Sequence, residues 1–96
     1  MEDQIVRYPI RLRQVNDKDY MYQVYLPDFK GYTAGIDYEN AIFMARDYIG
    51  THSLFADLPE ASNNLPMVKQ FEKAQFVKVN ITEFRRLHGL KANGYL

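Results

Sequence analysis

Residues 26 to 41, Leu-Pro-Asp-Phe-Lys-Gly-Tyr-Thr-Ala-Gly-Ile-Asp-Tyr-Glu-Asn-Ala, carry the local signals that decide the fold. An extended run ends at Pro27, because proline cannot donate to the hydrogen-bond ladder of a strand. A tight turn at Gly31 leads into a second short run, in which Gly35 lies close to the end. Asp37 follows at the N-cap position of a helix. The stretch therefore predicts a strand, a turn, a second strand and a helix in that order.

The chain before this stretch has the alternation that is typical of strands. Residues 5–12 alternate apolar and polar side chains, which predicts a strand with one buried face. A polar turn at residues 16–19 follows, and residues 20–26 resume an extended, aromatic-rich pattern that predicts an antiparallel neighbour. Residues 32–36 add a third strand after the turn.

Beyond Asp37 the apolar residues recur at helical spacing, which predicts a helix over residues 38–56. One stripe of this helix must be buried against the sheet. The predicted stripe consists of Ala41, Ile42, Ala45, Tyr48, Ile49, His52 and Phe55.

The rest of the chain predicts one more strand and little else. Residues 59–66 begin and end with proline and form an internal loop, whereas residues 67–73 give no clear signal. Residues 75–81 alternate again and form the fourth strand. A short helix over residues 83–87 precedes a flexible tail over residues 88–96, which contains two glycines.

These elements predict a single domain, residues 1–96, of the α+β class. One antiparallel-rich sheet in the order βββαβ(α) carries one long helix on one face. The 96 residues, 47% of them hydrophobic, suffice for one compact core. No apolar stretch approaches the roughly 20 residues that span a bilayer, and the acidic N-terminus is not that of a signal peptide. The absence of cysteine excludes disulfides and thiolate zinc sites, and we expect a cytoplasmic protein.

The charge is balanced overall, with twelve basic and twelve acidic residues, but it is distributed unevenly. Residues 1–62 carry a net charge of −4 and residues 63–96 a net charge of +4. This asymmetry suits head-to-tail contacts or a weak basic patch, and it also suits an ordinary solvated C-terminal face.

Several segments of the chain follow one another in a recognisable order. They are Tyr8-Pro9, the turn Pro27-Asp28-Phe29-Lys30-Gly31, the group Gly35, Asp37, Glu39 and Ala41, the segment Leu58-Pro59-Glu60-Ala61-Ser62, and residues 77–86, Val-Lys-Val-Asn-Ile-Thr-Glu-Phe-Arg-Arg. In this order they resemble the N-terminal domain of the HicB-like antitoxins of the HicAB toxin–antitoxin systems. The resemblance covers roughly residues 6–88.

The resemblance implies a partly RNase H-like domain whose relatives bind and block HicA, a small toxin with a double-stranded-RNA-binding fold that cleaves mRNA. We expect no cofactor. Many relatives also carry a C-terminal ribbon-helix-helix or helix-turn-helix segment that binds operator DNA. Only nine residues follow Leu87, too few for two further helices, so we do not expect operator binding by this chain alone.

The acidic residues and histidines do not predict an enzyme. Two-metal phosphodiester cleavage needs carboxylates that converge from strand centres, and residues 5–12 contain none. Asp28 falls in a predicted turn and Asp37 is a predicted helix cap. His52 lies on the apolar stripe, where a hydrogen-bonded core histidine is the usual case, and His88 has no second histidine at metal-ligand spacing. We therefore expect neither catalysis nor a metal site.

The sheet face away from the helix is the predicted binding surface, because strand alternation directs polar and aromatic side chains there. Its candidate residues are Arg11, Arg13, Gln23, Tyr25, Phe76 and Lys78. Three interpretations remain open. The face is solvated or covered by residues 67–73; it pairs with a toxin or a second subunit, and a homodimer is our expectation; or it binds single-stranded RNA, with bases stacked on the two aromatic rings.

Phe43 is a separate candidate on the helix side opposite the apolar stripe. It is either a contact for a partner or a singly exposed apolar residue, which is common on protein surfaces.

Overall fold

The computed structural model describes residues 2–89 of the chain, and the part of the predicted tail beyond Gly89 lies outside the described residues. Its elements are β1 (Ile5–Gln14), β2 (Tyr22–Leu26), β3 (Gly31–Gly35), α1 (Tyr38–Phe55), β4 (Glu72–Asn80) and α2 (Ile81–Phe84). A single 3-10 turn, Pro27–Phe29, precedes β3, and a π-helical turn, Arg85–Gly89, follows α2. No helix in this part of the chain is long and apolar enough to cross a bilayer.

The four strands form one antiparallel sheet in the order β3-β2-β1-β4. β1 lies in the middle, where Leu12 pairs with Val24 of β2 and Tyr8 pairs with Val77 of β4. α1 packs on one face of this sheet. The predicted α+β fold, with βββαβ(α) order and one long helix on one face, is confirmed.

The core lies between α1 and the sheet. It consists of Tyr8, Ile10, Leu12, Val24, Leu26, Ala41, Ala45, Ile49, Val77, Val79 and Ile81. Three strands contribute alternate residues and α1 contributes every fourth residue, as the two periodicities require. Full burial of each large apolar side chain contributes about 1.5–3 kcal/mol relative to its exposure.

Asp37 caps α1 as predicted. Its Oδ1 accepts a hydrogen bond from the backbone N–H of Asn40 at 2.7 Å, which satisfies one of the amide groups that the first turn leaves without a partner.

The prediction that Phe55 belongs to the buried stripe is wrong. Phe55 is 77% exposed, whereas Ser53 is buried. The buried residues of α1 follow the spacing of four that runs from Ala45 through Ile49 to Ser53. Phe55 lies two residues further on, which is about 200° around the helix, so its ring points away from the sheet.

The tight turn lies where it was predicted, but Gly31 is not the residue that needs an unusual backbone. Lys30 adopts the left-handed conformation with φ 51°, and no described glycine has a positive φ. At Gly31 space is the constraint, because a Cβ there would lie 1.9 Å from the hydroxyl oxygen of Tyr48 and would have to displace that side chain.

The ambiguous segment over residues 67–73 divides between the loop and the sheet. Phe71 has φ 67° and is the last residue before β4, so residues 72 and 73 already belong to the strand. Residues 67–71 reach the far sheet face only at its end, where the Lys69 N–H donates to Oε1 of Glu72, and they leave Arg7, Tyr32 and Lys78 exposed.

Candidate functional site

The sheet face opposite α1, called the open sheet face below, gathers basic and aromatic side chains from all four strands. Directly paired residues of an antiparallel sheet project to the same side, so the strand register defines the group. Its members are Arg7, Arg11, Arg13, Gln23, Tyr25, Tyr32, Glu72, Phe76 and Lys78. All six predicted sheet residues belong to it.

Cations stack on aromatic rings across this face. The guanidinium carbon of Arg7 lies 4.1 Å from the ring centroid of Phe76, and that of Arg11 lies 4.9 Å from the centroid of Tyr25. The rings of Tyr25 and Tyr32 lie 4.7 Å apart. Each cation–π pair contributes about 0.5–1 kcal/mol at an exposed site. One face of Phe76 and one of Tyr25 are therefore covered by side chains of the same chain.

Glu72 holds two of the arginines. Its Oε2 lies 3.7 Å from Nε of Arg11 and 3.9 Å from Nη1 of Arg13, and its side chain is only 3% exposed. Oε1 accepts a hydrogen bond from the backbone N–H of Lys69 at 2.8 Å. Nε of Arg11 is buried and has no hydrogen-bond partner, so its contact with Glu72 is electrostatic alone. Glu72 offsets part of the positive charge of this face.

Three members of the face were not among the predicted residues. Arg7 has the same alternation as Arg11 and could have been found from that pattern. Tyr32 and Glu72 belong to the face through their pairing with β2 and β1, and pairing between strands is not visible in the sequence of one strand.

Phe43 lies on a different surface. It is 61% exposed and lines a groove of about 510 Å³ between α1, the end of β4 and the C-terminal turns. This groove, called the helical groove below, is lined on its apolar side by Phe43, Val79, Phe84 and Leu87. The ring of Phe84 fits against α1 because residue 50 is glycine, where a Cβ would lie 2.4 Å from Cδ2 of that ring.

Tyr8 and His52 have structural partners. The hydroxyl of Tyr8 donates to the carbonyl oxygen of Pro59 at 2.6 Å, and burial, followed by the charge of Asp28, raises the pKa of Tyr8. Nε2 of His52 lies 3.0 Å from the carbonyl oxygen of Asp57. Within residues 2–89, no three histidine, aspartate or glutamate side chains come together as metal ligands would.

Comparison with known proteins shows a structural similarity at the level of the fold. No protein-family model matches the chain, and no curated protein matches it. A chain of a toxin–antitoxin complex from Streptococcus pneumoniae is similar in structure, with a TM-score of 0.64 and 20% sequence identity. The similarity covers 84% of the present chain and 73% of the other one. At this level of identity the likeness concerns the fold.

Proposed function

We propose that this chain is a non-catalytic binding module of the HicB antitoxin type, which neutralises a HicA-type mRNA-cleaving toxin by covering the toxin's surface. The observation that carries the proposal is the likeness of fold to a chain of a toxin–antitoxin complex, over 84% of the present chain. The segments that resemble HicB-like antitoxins support the same assignment.

The open sheet face is the surface that we assign to the toxin. Aromatic residues and arginine are enriched in protein interfaces, and this face carries three aromatic rings and three arginines. Its guanidinium groups are held by Phe76, Tyr25 and Glu72, so they lose little freedom when a partner binds. The mechanism is steric, and this chain performs no chemical step.

Co-purification with the product of the neighbouring reading frame tests the proposal. We expect that product to be a short basic protein with one strand-borne histidine, that it cleaves RNA alone, and that one equivalent of the present chain stops the cleavage. Inhibition that needs a large excess, or that follows the amount of RNA bound, contradicts the proposal.

A double variant, Arg13→Ala with Tyr32→Ala, tests the assigned surface. Both side chains are exposed, so the fold should survive the changes while inhibition weakens at least tenfold. Phe55→Ala is the control, since Phe55 is also an exposed aromatic residue but belongs to α1. If the double variant and the control lose inhibition equally, the open sheet face is not the toxin-binding surface.

RNA binding by the same face is the second candidate, and the basic side chains of Arg7, Arg11, Arg13 and Lys78 favour it. The stacking of arginine on two of the rings leaves less ring surface for bases. Fluorescence anisotropy with single- and double-stranded RNA over a salt series separates the two candidates. Each phosphate contact with a single strand adds about −0.7 to the slope of log K against log salt. If the face binds a protein partner instead, we expect this chain to show no micromolar affinity for RNA.

A further inference from the structure

β3 is an edge strand of the sheet, and no strand pairs with its outer side within residues 2–89. The carbonyl oxygen of Gly35 accepts a hydrogen bond from the N–H of Met21, so Gly35 directs its backbone groups toward β2. Because backbone groups alternate in direction along a strand, Tyr32 and Ala34 direct theirs outward. In this part of the chain no hydrogen bond outside the ladder with β2 occupies the N–H and C=O groups of these two residues.

β4, the edge strand on the other side of the sheet, is protected against pairing with a further strand. Its first N–H, that of Glu72, donates to the carbonyl oxygen of Lys69, and the strand also carries Lys73 and Lys78. β3 has the sequence Gly-Tyr-Thr-Ala-Gly and contains neither a charged residue nor a proline. Charged side chains and prolines are common means of keeping an edge strand unpaired. The outer side of β3 is therefore the edge that is open to another strand.

A groove of about 310 Å³ lies between β3 and α1. This groove, called the β3 groove below, is lined by Thr33, Met44, Asp47, Tyr48, Thr51 and His52. Its lining comes from β3 and α1 alone, so the groove opens on the outer side of β3. Thr33 pairs with the buried Val24, and both side chains lie on the α1 side of the sheet. In a strand added next to β3, the residue opposite Thr33 would point to the same side and into the groove.

The lining of the β3 groove indicates which side chains suit it. Met44 and Tyr48 supply apolar and aromatic surface, and Asp47 supplies a carboxylate at the boundary with the helical groove, which it also lines. This carboxylate forms no ion pair within residues 2–89. A suitable occupant therefore has an apolar side chain for the groove and a basic side chain for Asp47.

We infer that an extended segment of the toxin adds to the outer edge of β3 as a further strand, with an apolar side chain in the β3 groove and a basic side chain at Asp47. The identity of the partner rests on the proposed function. Main-chain hydrogen bonds along an edge, together with a pocket for alternate side chains, are the features of strand addition. Residues of the segment opposite Tyr32 and Ala34 continue the open sheet face, so one partner covers the face and pairs with its edge.

A second copy of this chain suits the site less well. Its own β3 could pair antiparallel about a twofold axis at Thr33, which would place the two Thr33 side chains opposite each other. The residues of β3 on the α1 side are Gly31, Thr33 and Gly35, which are small and carry no charge for Asp47. The shape and charge of the β3 groove favour a strand from a different protein.

Proline substitution at the edge tests the inference with the full chain and the toxin. Ala34→Pro removes an outward N–H, and an edge strand tolerates proline where its N–H faces solvent. We expect toxin binding to weaken at least about tenfold by isothermal titration calorimetry. Ala74→Pro is the matched control on β4. The carbonyl oxygen of Phe71 accepts from the N–H of Gln14 in β1, so Ala74, three residues later, also directs its N–H outward. This control should weaken binding by less than about threefold.

The outcomes separate the inference from the proposed function. Wild-type affinity of Ala34→Pro, or equal weakening by both proline variants, overturns the inference and leaves the proposed function in place. A wild-type chain that neither binds nor inhibits the toxin overturns the proposed function and the inference with it. A free chain that is dimeric as the wild type and monomeric as Ala34→Pro assigns the edge to a second copy and overturns the inference.

Amide hydrogen exchange of the wild-type chain needs no substitution and decides the question if Ala34→Pro does not fold. In the free chain the amides of Tyr32, Ala34 and Ala74 should exchange rapidly, because all three point away from the neighbouring strand. In the complex the Tyr32 and Ala34 amides should exchange at least about tenfold more slowly, whereas the Ala74 amide should change little. Equal protection of all three amides, or of none, overturns the inference.

Neutralisation of Asp47 tests the charge of the added segment. Asp47→Asn should weaken toxin binding about threefold at low salt, as expected for the loss of an exposed ion pair. Glu39→Gln is the matched control, since Glu39 is an exposed carboxylate of α1 that does not line the β3 groove. Equal binding by the two variants overturns the basic side chain at Asp47.

Discussion

Asp28 and Ser62 are joined by two hydrogen bonds, although they lie far apart in the sequence. The backbone N–H of Ser62 donates to Oδ2 of Asp28 at 2.9 Å, and the Ser62 hydroxyl donates to Oδ1. The pair connects the 3-10 turn before β3 with the segment that follows α1. Asp28 is thus a structural carboxylate that holds two connections together at one end of the sheet.

Replacement of Asp28 by alanine should lower the free energy of unfolding by about 1–2 kcal/mol, because two charge-assisted hydrogen bonds are lost. Urea denaturation of both proteins measures the difference. Asp19→Ala is the control, since Asp19 is likewise a turn carboxylate but is exposed, and it should change the free energy by less than about 0.5 kcal/mol. Equal effects at the two positions would contradict the structural role of Asp28.

Tyr8 should make stability depend on pH at the alkaline end. Its pKa is raised by burial first and by the charge of Asp28 second, so the folded chain holds the phenolic proton more tightly than the unfolded chain does. The contribution of Tyr8 is therefore complete below the unfolded pKa of about 10 and is lost as the pH rises through the folded pKa.

Tyr8→Phe removes the hydrogen bond to the carbonyl of Pro59 and should cost about 1 kcal/mol at neutral pH. Above a pH of about 10 the difference between the wild type and the variant should shrink, because only the wild type loses this stabilisation. Unfolding curves between pH of about 7 and 11 measure it, and a difference that stays constant over that range would rule out the linkage.

Gly50 and Phe84 should be coupled energetically. A Cβ at residue 50 would lie 2.4 Å from the Phe84 ring, so Gly50→Ala should displace the ring and the C-terminal turns and destabilise the chain. When Phe84 is already alanine, the same change should stabilise α1 by up to about 1 kcal/mol, the difference in helix propensity. A double-mutant cycle by urea denaturation measures the coupling, and additive effects would contradict it.

The fold was predictable wherever a local rule decides the structure. Pro27 and Asp37 end and begin elements through the chemistry of their own backbone or side chain, and alternation along one strand assigned Arg11 to the open sheet face. The direction of Phe55 was not predictable, because it depends on which residue of the last helical turn meets the sheet. Gly50 is constrained by an aromatic ring of another element, and the residues next to Gly50 in the sequence do not indicate that contact.

The charge of Glu72 should restrain the affinity of the open sheet face for anions. Glu72→Gln keeps the size of the side chain but removes the charge that faces Arg11 and Arg13, so both guanidinium groups become available to phosphate. We expect RNA to bind more tightly, with a steeper salt dependence, and the free energy of unfolding to fall by about 1–2 kcal/mol. Glu60→Gln, which changes the same charge at an exposed position outside the sheet, is the matched control. If both variants bind RNA with equal affinity, the overall charge of the protein governs RNA binding. The contact of Glu72 with the two arginines then has no specific effect on it.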